Sequence, residues 1–214
     1  MPGSACCATL PLHEHCLFKL GVNLGELWHL TPLADWLRAR GFHAPEVLAR
    51  DGAHVICADI PAAGEALAET ANKVNGTAFP LDVSAPDAGS KLAEHALERH
   101  GGIDIIVNNA GITRDKLLVN TDADRWGSVL NVNLLSILKM NEALVPAINE
   151  GGHIVNVASI AGVEGEVYSA GYCAAKHGLV GLTRALAIEF VVDASRVDSQ
   201  LSLVDCIGER RPVC

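Results

Sequence analysis

Tyr172 and Lys176 stand four residues apart in a stretch, Tyr172 to Phe190, whose composition predicts a helix. Four residues is close to one helical turn, so both side chains project from the same face. An ammonium beside a phenol favours the phenolate and draws the tyrosine pKa down from about 10 toward the range of a working proton donor. The pair is a candidate acid/base couple, although the same spacing is common on solvated helix faces. Ser159 comes thirteen residues before Tyr172 and directly follows the run His153-Ile-Val-Asn-Val-Ala158. If that run is a strand, the hydroxyl can hold a carbonyl oxygen, because open α/β sheets place their ligand crevice at the carboxyl ends of the strands. Asn133 sits in an apolar stretch, Asn131-Val-Asn133-Leu, where a buried amide must find partners. Asn108-Asn-Ala-Gly111 ends another apolar run and reads either as a crevice loop or as a plain Asn- and Gly-rich turn.

The elements that must position these groups alternate in type. His54-Val-Ile-Cys-Ala-Asp59 reads as a buried strand ending in an acid. Pro61 then opens a helix over Ala62 to Val74, which Asn75-Gly76 closes before a strand over Thr77 to Val83. Ser84, Pro86 and Asp87 start a helix that ends at Gly101-Gly102. Ile103 to Val107 predicts a strand, Asp122 to Ile148 a long helix with Pro146 near its end, and His153 to Ala158 a further strand. Strands alternating with helices predict the α/β class, a Rossmann-like doubly wound parallel sheet.

Composition bounds the function. In 214 residues, 50% are hydrophobic and 19% charged, which excludes a disordered chain. Sixteen Lys and Arg against 25 Asp and Glu leave a net charge of −9, so neither nucleic acid nor an anionic membrane surface is an expected partner. Seven cysteines without a Cys-x-x-Cys pair read as reduced thiols. No apolar run has the length of a membrane span and no secretory leader is evident, so the expected address is the cytoplasm. Cys6, Cys7, His13, His15 and Cys16 match no standard zinc spacing, and no metal is expected.

Asn108-Asn-Ala-Gly111, Val132-Asn133-Leu134, the strand ending at Ser159 and Tyr172-Cys-Ala-Ala-Lys176, in that order, together resemble the short-chain dehydrogenase/reductase family. Within it the chain is similar to bacterial 3-oxoacyl-(acyl carrier protein) reductases. Arg50 to Ile60 and Ile112 to Leu117 resemble their large actinobacterial, NADH-using branch. The likeness runs from Glu46 to about Phe190. It implies hydride transfer between NAD(H) and a carbonyl or secondary alcohol, with a small-molecule or carrier-bound substrate, as in 3-oxoacyl thioester reduction. Tyr172 is then the general acid, Lys176 lowers its pKa and holds the nicotinamide ribose, Ser159 polarises the carbonyl, and Asn133 holds a water in the proton relay. Asn108, Ala110 and Gly111 line the cofactor crevice, and Asp82 and Val83 border the adenine. Asp59 stands where an acid hydrogen-bonds the adenosine ribose and repels a 2′-phosphate, favouring NAD over NADP. The helices matching Asp122 to Ile148 and Tyr172 to Phe190 imply a homo-oligomer.

The pattern departs from the family at both ends. Its Gly-rich pyrophosphate turn is missing from the corresponding window, about Trp36 to Pro45, where only Gly41 is found. The nearest imitation is Leu17-Phe-Lys-Leu20 followed by Gly21 and Gly25, and it reads as an ordinary turn because Gly25 lies 34 residues before Asp59. The sheet is therefore expected to be incomplete, without its first strand and its C-terminal strands. The expected organisation is an unassigned segment 1–45 with a weak helix at Leu33 to Arg40, a core over 46–190, and an unassigned tail 191–214 in which only Leu201 to Ile207 is strand-like. Loss of likeness at both ends raises a frame change as an expectation. It also leaves an alternative role, a catalytically impaired fragment acting as a dimerisation partner.

Overall fold

Val55 and Cys57 pack with one cluster of buried side chains and Ile56 and Ala58 with another, so the strand they share is covered on both faces. The computed structural model describes residues 16–20, 44–50, 52–192, 202–204 and 210–211. That strand is β2 (His54–Asp59), which follows β1 (Cys16–Leu20) and α1 (Ala44–Arg50). Next come α2 (Gly64–Lys73), β3 (Thr77–Pro80), α3 (Ala88–His100) and β4 (Ile103–Asn108). Then α4 (Ala123–Leu130), a π-helical turn (Asn131–Leu135) and α5 (Ser136–Leu144) lead to β5 (Ile148–Val157). The chain closes with α6 (Ala170–Val192), β6 (Ser202–Val204) and β7 (Arg210–Arg211).

The seven strands form one sheet in the order β3-β2-β1-β4-β5-β6-β7, parallel except at β7. On one face, Leu67, Ala71 and Val74 join Val55 and Cys57, with Leu48 and Ala49 against them. On the other, Leu92 and Ala96 of α3 and Met140 and Leu144 of α5 close over Ile56, Ile106 and Ile154. Each such fully buried Leu, Ile or Met contributes roughly 1.5–3 kcal/mol relative to exposure. This is the doubly wound α/β sheet that the alternating pattern predicts.

The middle of the sheet differs from expectation. Cys16–Leu20, in the segment left without assigned structure, occupies the first-strand position between β2 and β4, with Leu20 opposite Ala58 and Lys19 opposite Val107. Residues 1–45 are therefore not wholly apart from the core. A parallel crossover fixes only a minimum length for its connection, so the long interval to Asp59 is no barrier. Gly21 and Gly25, the weak helix at Leu33 to Arg40, and Cys6, Cys7, His13 and His15 lie outside the described residues. In the tail, Ser202–Val204 pairs with β5, within the strand-like run expected there.

Boundaries shift elsewhere for local reasons. The expected long helix over 122–148 is interrupted by the π turn and ends at Leu144, after which Pro146 lies in a 3-10 turn. β5 begins at Ile148, earlier than expected, because the Asn- and Gly-rich stretch 149–152 is accommodated by a register shift against β4. Gly101, in the left-handed conformation at φ 78°, ends α3. Among the described residues, no helix is long and apolar enough to cross a membrane.

At the amino end of β2, His54 stacks on His100 with ring centroids 4.5 Å apart, and His95 lies 4.7 Å from Phe79 and 6.2 Å from His100. Burial pushes the His95 and His100 pKa values down, helped by Arg99 at both and by the neighbouring imidazoles. The unfolded chain takes up these protons near pH 6.5 and the folded chain only at lower pH, so their contribution to stability is present above that value and is lost as pH falls. The melting temperature should therefore drop between about pH 7.5 and pH 5.5, and His100→Phe, which keeps the stack, should show a smaller drop. An equal drop in the variant, followed by circular dichroism, refutes the assignment.

Candidate active site

The loop after β4 and the helix pair α4–α5 are joined by one buried amide. Asp122 caps α4 by accepting the Arg125 N–H at 2.8 Å. The helix then widens into the π turn at Asn131–Leu135, and there Asn133 is fully buried. Its Oδ1 accepts the Ile112 N–H at 2.7 Å and its Nδ2 donates to the Ile112 carbonyl at 2.7 Å. Both ends of the amide are thus engaged by backbone, as a buried amide requires.

Beside this stitch lies Lys176, only 4% exposed. Its Nζ donates to the Val157 carbonyl at 2.7 Å and stands 5.6 Å from the centre of the Tyr172 ring. Gly111 closes the group: a Cβ there would fall 3.1 Å from Asn133 Oδ1 and 4.0 Å from Lys176 Nζ. Ser159, two residues beyond Val157, is extended, and its Oγ accepts the Ala161 N–H at 3.3 Å. The structure therefore brings Asn133, Tyr172, Lys176 and Gly111 around one point at the carboxyl edge of the sheet, with Ser159 on the strand end that Lys176 grips.

The remaining sequence-derived residues separate into two sets. Asp59 ends β2; its Oδ1 accepts the Ile60 N–H at 2.7 Å, and its carbonyl accepts the Leu81 N–H at 2.7 Å. Asp82 is exposed and its Oδ1 accepts both the N–H (2.9 Å) and the hydroxyl (2.7 Å) of Ser84. The side chains of Val83 and Ala110 belong to the core, so they are not themselves offered to a ligand. The Asn108 side chain also turns inward. Its Nδ2 donates to Asn141 Oδ1 and Asn156 Oδ1, both at 2.9 Å, and Asn156 donates on to Thr183 at 3.0 Å. That chain of amides ties β4 to α5, β5 and α6, a structural role that the Asn-rich turn does not disclose in sequence.

Sequence reasoning missed the groups around Tyr172. An open recess there is lined by Trp126, Val129, Tyr168, Ser169 and Gly171. Trp126 and Val129 carry only the signal of an apolar helix face. Ser169, which is buried, donates to Asp115 Oδ1 at 3.1 Å across 54 residues, a contact with no local signature.

A parallel sheet in the order 3-2-1-4-5-6, with a tyrosine, a buried lysine and an asparagine at its carboxyl edge, defines a nucleotide-binding type of α/β protein. Residues 39–199 match the family model described as enoyl-(acyl carrier protein) reductase, and the chain belongs to the short-chain dehydrogenase/reductase family. It is 43% identical over 147 residues to the 3-oxoacyl-(acyl-carrier-protein) reductase of Pseudomonas aeruginosa, covering 66% of this chain and 60% of that protein. The corresponding reductase of Chlamydia trachomatis is 39% identical over 177 residues, covering 80% of this chain and 68% of that protein. Among solved structures, a short chain dehydrogenase from Mycobacterium smegmatis superposes with a TM-score of 0.73 at 27% identity, over 91% of this chain and 77% of that one. A short chain dehydrogenase/reductase from Burkholderia phymatum in complex with NAD gives a TM-score of 0.68 at 26% identity, over 87% of this chain and 64% of that one. The chain thus spans less than two thirds of the length of the Pseudomonas relative.

The Asn133 stitch makes a quantitative demand. Asn133→Leu deprives the part-buried N–H and C=O of Ile112 of these partners, at about 1–3 kcal/mol each. Urea denaturation should show a loss on the order of 2–5 kcal/mol, whereas a loss within error of zero refutes the dependence of the loop on this amide.

Proposed function

We propose that this chain is a nicotinamide-dependent carbonyl reductase whose substrate is a 3-oxoacyl thioester. The observation that carries the reading is the Lys176 ammonium, buried, hydrogen-bonded to Val157 at 2.7 Å and 5.6 Å from the Tyr172 ring. A buried cation at that range favours the deprotonated phenol and so makes Tyr172 a proton donor that can be recharged. The names of the Pseudomonas and Chlamydia relatives support the thioester.

Among the described residues, those at the ends of β2 and β4 and around Lys176 fit the adenosine and nicotinamide ends of a nicotinamide dinucleotide. Gly111 leaves bare backbone where a Cβ would crowd Asn133 Oδ1 and touch Lys176, so this part of the cradle is kept clear. Asn109 to Gly111 follow β4, which with β1 flanks the point where the strand order reverses, and Asp59 ends β2, the next strand beyond β1. Asp59 would hold the adenosine ribose, the backbone at Asp82 and Val83 would border the adenine, and Lys176 would hold the nicotinamide ribose. When bound, the dinucleotide supplies the hydride.

The chain's own groups do the rest. The Ser159 Oγ accepts from Ala161, which leaves its hydrogen to donate to the substrate carbonyl oxygen. Tyr172 delivers the proton to that same oxygen as it becomes an alcohol. Both Asn133 side-chain atoms are held by Ile112, so the relay water assigned to this residue falls to its main-chain carbonyl, in the π turn that loosens the regular ladder. Leu135 and Leu138, each nearly half exposed on the same helical stretch, support pairing with a second copy.

Two measurements test the reading. With acetoacetyl thioester and NADH, Tyr172→Phe should lower turnover at least about 10²-fold while NADH binding, followed by fluorescence, stays intact. Equal turnover of the two proteins rules out Tyr172 as the acid, and saturable NADH binding without any turnover favours the non-catalytic partner role. The carboxylate of Asp59 repels a 2′-phosphate, so Asp59→Ala should move the NADH-to-NADPH preference in kcat/KM about tenfold or more toward NADPH. An unchanged ratio removes Asp59 from the cofactor site.

A further inference from the structure

The recess beside Tyr172 contains a second tyrosine that proton transfer does not use. Tyr168 lines it together with Trp126 and Ser169, and its backbone is left-handed, with φ 70°. For a bulky aromatic residue this conformation is a true outlier, and it persists only where the surroundings dictate it. Here they do so from both sides. The Tyr168 carbonyl accepts the Lys116 N–H at 2.8 Å. The next residue, Ser169, is buried, donates to Asp115 Oδ1 at 3.1 Å, and accepts the Cys173 N–H at 2.8 Å at the start of α6.

Pinned in this way, the tyrosine keeps its side chain out of the core, 58% exposed at the rim of the recess. Val167 before it is 71% exposed, and across the Lys116 contact Leu118 and Val119 are 61% and 88% exposed. Inside the recess Tyr168 and Trp126 share the lining with the charged Arg114, Lys116 and Arg125, while the exposed Val167, Leu118 and Val119 adjoin Tyr168 and Lys116 along the chain, a mixed outlet that suits a substrate with one polar reacting end and an apolar remainder. Resting on the carbonyl-reductase reading above, we propose that Tyr168 is a specificity-determining residue whose ring holds the alkyl chain of the acyl substrate as it leaves the recess. The strained backbone is what presents the ring; the flexible chain of the substrate completes the cover that the protein leaves open.

Calorimetric titration of the full chain, with NADH present, against 3-hydroxybutyryl and 3-hydroxyoctanoyl N-acetylcysteamine thioesters tests this, because reduced cofactor with reduced substrate forms a non-reacting complex. The wild type should bind the octanoyl ester more tightly than the butyryl ester. Tyr168→Gly, which also relieves the backbone strain, should lose roughly tenfold in octanoyl affinity and keep its butyryl affinity. Tyr168→Phe should bind like the wild type, and Tyr168→Asn, which tolerates the left-handed backbone, should follow Tyr168→Gly. Retention of the full preference in Tyr168→Gly, or loss of both esters alike, overturns the proposal while the reductase reading stands on its own turnover assay. Equal binding of the two esters by the wild type overturns it too, and wild type that binds neither ester overturns both.

Discussion

An ammonium group removed from water must recover its hydration from protein dipoles, at a penalty of several kcal/mol where it does not. Lys176 is in that position, and much of the crevice architecture follows from it. The Val157 carbonyl that meets it at 2.7 Å is supplied by the last residue of β5, so the end of that strand and the first turns of α6 are locked in relative position. Tyr172 lies one turn back on the same helix, within the field of the cation. A side chain at Gly111 would press on Asn133 Oδ1 and reach Lys176 Nζ, and Asn133 in turn fixes the loop that carries Gly111. One buried charge therefore ties β4, β5, the π turn and α6 to a common point.

Much of the frame around that point was legible because parallel strands covered on both faces produce unbroken apolar runs. His54 to Asp59 and Ile103 to Val107 have that signature, and their structural bounds agree closely with it. β1 was not legible for the opposite reason. Cys16–Leu20 is short, carries a lysine, and lies far from β2 along the chain, so its assignment rests on long-range pairing to His54–Ala58 and Ile103–Val107. β5 shows the same limit at its start. Asn149 to Gly152 has turn composition, yet the stretch is absorbed by a register shift because the flanking Ile148 and His153 both find partners on β4.

The site divides along a similar line. Helical spacing alone puts Tyr172 and Lys176 on one face, and the end of a strand puts Ser159 at the crevice, so periodicity discloses these three. Periodicity cannot disclose what a buried amide binds. Asn133 and Asn108 are both buried polar residues in apolar surroundings, but one turns to the Ile112 backbone beside Lys176 and the other to Asn141 on α5 and Asn156 on β5. Only the tertiary placement of their partners separates a residue that shapes the crevice from one that ties strands and helices together.

Irregular backbone shows a comparable division. Two non-glycine residues among those described have a left-handed φ, Asn75 and Tyr168. Asn75 closes α2 in a turn, where asparagine tolerates this conformation and no special explanation is needed. Tyr168 has no such tolerance, and the contacts that hold it come from Lys116 and, through Ser169, from Asp115, on the loop that Asn133 anchors at Ile112. The π turn is the other departure, and it is where Asn133 is turned into the protein; its two hydrogen bonds, worth roughly 0.5–1.5 kcal/mol each, offset the poorer helical geometry. The loop 112–121 is thus gripped at its start by a helix that had to widen and further along by a residue that had to strain. Tyr168 lines the recess beside Tyr172 and the π turn holds the start of the same loop at Ile112, which is the distribution expected when irregular backbone is retained to shape a binding site rather than to complete a core.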